Sequence, residues 1–170
     1  MRLLILLVLL VLGSAFLFGP RSLDLTETPT VVRNQVDIRA NQAVGCWDFH
    51  TAFGSSWFIP SPHWRVRLDT TELHHDVGQL LLQVRFDSLA LALVPTWRPI
   101  RLAHWVPYPH SDRVFVFWGD GFSGLAMKLR RVGDRMRGWS GSTTDYGGPG
   151  WGPRVTAERV SCDSTPWISP

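Results

Sequence analysis

Histidine is the side chain best suited to metal or acid–base chemistry near neutral pH, and this chain has six: His50, His63, His74, His75, His104 and His110. A zinc site needs three or four ligands converging in space. His74 and His75 are adjacent and run into Asp76 in a Gly-containing turn, and neighbours in an extended chain point opposite ways. His104 and His110 flank the Pro107-Tyr108-Pro109 loop. No ligand spacing stands out, so each is expected in a surface or loop role, with no metal.

Nucleophile and carboxylate patterns fare no better. The stretches around Ser123 and Ser140 read Gly-Phe-Ser-Gly and Gly-Trp-Ser-Gly, not the Gly-x-Ser-x-Gly elbow between a strand and a helix. Asp120 and Asp134 fall in turns, where their side chains are expected to bond their own backbone. There is no phosphate loop, no CxxC pair and no dinucleotide fingerprint. The chain does not read as an enzyme and implies no cofactor.

Aromatic residues remain. Trp57 and Trp64 bracket the Pro60-Ser61-Pro62 loop, Trp97 and Trp105 sit among prolines, and Trp151 lies in a Gly/Pro loop. Trp57, Trp97, Trp105 and Trp151 are therefore the candidates for a binding rim. Packing of long loops onto the domain is the alternative for each.

The elements that must position these residues follow from composition and pattern. A length of 170 residues suits one domain, and 45% hydrophobic against 18% charged residues suits a packed core. Nine Trp and nine Phe favour a pleated, half-buried surface. The net charge of +3 is spread along the chain without a dense run, which excludes a nucleic-acid footprint.

Met1-Arg2 is followed by an uncharged apolar run from Leu3 to Gly19. A basic start and a Leu/Val run form an export signal, and Gly13-Ser14-Ala15 offers a cleavage point. The run is also near the minimum that spans a bilayer, so residues 1–19 read as a signal peptide or a membrane anchor. No Cys precedes Cys46, which excludes an N-terminal lipid-modified Cys. Residues 20–44 are a polar linker with a reach on the order of 25–30 Å. The location implied is extracytoplasmic: periplasm, envelope or secreted.

Residues 45–163 read as about eight antiparallel strands, in an up-and-down barrel or a sandwich, with 164–170 as a C-terminal tail. In 45–53, Trp47, Phe49, Thr51 and Phe53 share one face. Trp64, Val66 and Leu68 alternate with Arg65, Arg67 and Asp69. Residues 80–86, a short apolar run at 89–94, and 100–106 follow. A hairpin turns at Gly119-Asp120-Gly121 and another at Val132-Gly133-Asp134, and the last strand ends at Cys162.

Two Cys in an exported chain permit one pairing, Cys46 with Cys162; two buried thiols are the other reading. If Trp47 points inward, Cys46 points outward. Alternation then puts Cys162 outside and Arg159 inside, on the face of Trp47, where an Arg plane over an indole packs well.

Gly45-Cys46-Trp47 and Arg159 resemble, in order and facing, the Gly-x-Trp and terminal Arg of lipocalin-like (calycin) barrels. The resemblance implies a small closed barrel, with a cup for an apolar molecule, and structural roles for Gly45, Trp47 and Arg159. The chain departs from the family after Thr144-Asp145-Tyr146, where only one strand is expected and no helix follows. The expected function is an exported, non-catalytic barrel binding a small apolar ligand. The alternative is a membrane-tethered structural or interaction domain of the envelope with a filled core, and a hydrolase with an unrecognised site comes third. The sequence identifies no protein partner.

Overall fold

The computed structural model describes residues 37, 42–51, 63–73, 80–92, 94, 99–144, 152–163 and 166–170. The apolar run at 3–19 and most of the linker lie outside them. Nine strands are described: β1 Gly45–Thr51, β2 His63–Leu73, β3 Leu81–Asp87, β4 Leu102–Pro107, β5 Arg113–Gly119, β6 Ser123–Val132, β7 Arg135–Thr144, β8 Arg154–Val160 and the short β9 Trp167–Ile168. A single helical turn, α1 Ser88–Ala92, follows β3.

Each of β1 to β8 pairs antiparallel with the next, and β8 returns to β1, opposing Trp47 to Arg159 and Phe49 to Ala157. The sheet therefore closes into an eight-stranded up-and-down barrel, which settles barrel against sandwich. Closure follows from β1 having partners on both sides, β2 on one and β8 on the other. No free edge remains between first and last strand.

The period of two sorts the walls. Trp47 and Phe49, Trp64, Val66 and Leu68, and Leu125, Met127 and Leu129 are buried, as their alternation predicts. Leu82, Val84, Phe86, Trp105, Val116 and Trp118 complete the inner face. The β6–β7 hairpin turns tightly on Gly133-Asp134, with Gly133 at φ +61°, a value that favours glycine. At the other hairpin the Asp120 carboxylate accepts from the backbone N–H of Phe122 and Ser123, as expected of a turn aspartate.

The apolar run at 89–94 is not a strand. Its Leu-Ala-Leu-Ala sequence favours helix, and the Asp87 carboxylate accepts from the Leu89 N–H at the start of α1. The C-terminal tail carries a strand of its own. β4 pairs with β3 only at Leu82 and Gln83, which leaves the far half of that edge for Trp167 and Ile168 to pair with Asp87 and Phe86.

Candidate functional site

The interior of the barrel is crowded with rings. Trp118 from β5 lies 5.4 Å from Phe86, 5.7 Å from Trp64 and 6.4 Å from Phe49, centroid to centroid, mostly edge to face. All four rings are at most 1% exposed. Two donors in this cluster, Trp64 Nε1 and Trp118 Nε1, have no hydrogen-bond partner among the described residues.

Trp105, one of the four expected rim residues, belongs to this interior. It is fully buried opposite Leu82 and Val116, and its Nε1 donates to the Asp69 carbonyl at 2.9 Å. A bulge in β2 between Leu68 and Glu72 presents that carbonyl. Trp57, Trp97 and Trp151 lie outside the described residues.

One end of the barrel is closed by the segment 42–44. Trp47 Nε1 donates to Ala43 O at 2.8 Å. The Arg159 guanidinium carbon sits 4.5 Å from the Trp47 ring centroid, and its nitrogens donate to Val44 O and Gln42 O. Gly45, at φ +135°, is required here: a Cβ would stand 2.5 Å from Arg159 Nη1. Asp134 does not bond its own turn; its carboxylate pairs with Arg159 Nε at 3.1 Å, because the hairpin delivers it beside β8. Gly45, Trp47 and Arg159 thus meet as the sequence predicts.

The expected disulfide is formed between Cys46 and Cys162, with Cα atoms 5.4 Å apart. It ties the tail to β1 on the outside of the wall.

The outer face of β5, β6 and β7 carries a row absent from the sequence reading. Arg113 stands opposite Arg130, and Arg130 opposite Arg137. All three are exposed, and among the described residues none forms an ion pair with Asp or Glu. The next row holds Lys128, the half-exposed Trp139 and Arg154, whose guanidinium lies 5.3 Å from the Trp139 ring. Tyr108, Arg113, Lys128, Arg130, Arg137 and Trp139 line a groove of about 320 Å³. Like charges placed directly opposite repel, so this face suits an anionic partner. Single-strand alternation could show each Arg pointing outward, but not that three strands align them.

The histidines divide. His74 and His75 lie outside the described residues. His104 stacks 5.2 Å from Phe117 on the outer wall, and His110, at φ +50°, lines a recess of about 270 Å³ with Asp112 and Arg131. His50 and His63, remote in sequence, face one another across β1 and β2.

Together these features define a class: a disulfide-tied, eight-stranded up-and-down barrel, sealed at one end by an arginine stacked on a tryptophan. Set against protein-family models, curated proteins and solved structures, the chain matches none of them.

Proposed function

We propose that this chain is an exported, non-catalytic barrel, held at a membrane by residues 3–19 and acting as an interaction domain through its outer wall. The observation that carries this reading is the filled interior. An eight-stranded barrel has room for its own side chains or for one small ligand. Here Phe49, Trp64, Phe86 and Trp118 occupy that room in mutual contact. Gly138, which could open space beside Met136 and Ser140, instead lets β6 approach so closely that a Cβ would meet the Lys128 carbonyl at 1.9 Å. The Cys46–Cys162 bond supports an oxidising compartment, in line with export. The Arg113–Arg130–Arg137 row is the surface best suited to contact, and its partner would carry anionic groups.

A second reading has its own support. The Trp64 and Trp118 N–H groups, without a partner among the described residues, would be satisfied by an acceptor on a bound molecule, as in a lipocalin-like carrier. Native mass spectrometry of the chain purified from an oxidising compartment separates the two. The bare mass, two hydrogens lighter for the disulfide, is expected. An adduct of a few hundred daltons released on denaturation would make the protein a carrier instead.

A further inference from the structure

We propose that Asp48, His50 and His63 form a binding site for a divalent transition-metal ion of the zinc class on the outer wall of the barrel. Trp47 and Phe49 point inward, so alternation sends Asp48 and His50 outward, two residues apart on one strand. His63, the first residue of β2, stands directly opposite His50. The two imidazole rings meet edge to face with centroids 4.4 Å apart, and Asp48 Oδ2 lies 3.8 Å from His50 Nε2. One donor atom from each of the three residues falls within 4.8 Å of the others.

Bonds of about 2.0–2.2 Å to zinc place the donors of a tetrahedral site roughly 3.4 Å apart. Small rotations of the half-buried Asp48 and His50 and the exposed His63 close the difference, while the paired strands hold their backbones in place. The carboxylate gives an independent indication. Asp48 Oδ1 is buried and has no hydrogen-bond partner among the described residues, an arrangement that costs free energy unless a cation compensates it. Its cross-strand neighbours do not supply that cation. Arg65, opposite Asp48 on β2, forms no ion pair with it among the described residues, and Glu158, opposite on β8, pairs with Arg135 at 3.4 Å.

Two imidazoles and one carboxylate favour Zn²⁺, Co²⁺, Ni²⁺ or Cu²⁺ over the oxygen-seeking Mg²⁺ and Ca²⁺. Three protein donors among the described residues leave a coordination position for water or for a further donor.

The test is titration of the untagged, oxidised full chain, kept in detergent micelles, with Co²⁺ followed by visible absorption and with Zn²⁺ by calorimetry. One ion per chain is expected. Losing a residue that merely orients a ligand already costs about 10–100-fold in affinity, so His50→Gln, His63→Gln and Asp48→Asn are each expected to lose at least about 100-fold. His110→Gln, at the recess near 42–44, should bind as the unaltered chain does. His63 is exposed at the start of β2, so H63Q keeps the fold, and superimposable melting curves in chelator establish this. Absence of uptake, or an affinity in H50Q and H63Q equal to that of the unaltered chain, overturns the site.

Discussion

Arg159 lies over the Trp47 ring at 4.5 Å because Gly45 has no side chain to stand in its place. The three residues lock the last long strand of the barrel to the first, and the guanidinium also holds the carbonyls of 42 and 44 across the barrel end. Gly45→Ala forces a clash with Nη1 and places an L-residue at positive φ. The expected loss is about 2–4 kcal/mol, read as the shift in a reversible thermal or urea transition.

Arg159→Lys separates charge from shape. Lysine keeps the cation but loses the plane that stacks and the fork that reaches two carbonyls. It should recover less than half of the roughly 2–3 kcal/mol lost in Arg159→Ala. Equal stability of the Lys variant and the unaltered chain would show that the stack contributes nothing.

Trp118 touches three other interior rings, so Trp118→Ala is expected to cost about 3–5 kcal/mol. Trp118→Phe should cost much less and also removes one N–H that has no partner among the described residues. If Trp118→Ala unfolds at the same denaturant midpoint as the unaltered chain, the interior is not packed around this ring.

The Cys46–Cys162 bond closes a sequence separation of 116 residues. Loop-closure entropy assigns such a link roughly 4–5 kcal/mol of stability. The Cys46→Ser, Cys162→Ser double variant should therefore melt well below the oxidised chain, and reduction of the latter should reproduce that shift.

Burial pushes the Tyr108 hydroxyl above its usual range near 10, with nearby Arg113 pulling the other way. A raised folded-state value means that the protonated phenol is favoured in the folded chain. Its contribution is full below the unfolded value and is lost as pH rises through the folded one. Ultraviolet titration should show a tyrosine ionising late, and Tyr108→Phe should remove that step. The Arg row gives a separate expectation: Arg130→Gln should raise stability by about 0.5 kcal/mol at low salt, fading as ionic strength rises.

Much of this architecture is local in origin. Alternation of Trp47 and Phe49 with Cys46 and Asp48 assigns faces without knowledge of the partners, because the strand period is two. The same alternation carried from Cys162 back to Arg159 placed the guanidinium on the tryptophan. Turn chemistry marked both hairpins. The run at 89–94 misled because a short apolar stretch fits a strand or a helix equally well, and the Asp87 carboxylate tips it to helix.

Pattern alone carried the all-β class, the inner and outer faces of β1, β2, β6, β7 and β8, the one pairing open to two cysteines and the expectation that Gly45, Trp47 and Arg159 meet. The remainder came from the assembled barrel, since cross-strand register is a property of two strands and is written in neither. Register set Arg113, Arg130 and Arg137 in one row, brought His63 opposite His50 beside Asp48, and drew Trp105 inside to the carbonyl freed by the β2 bulge.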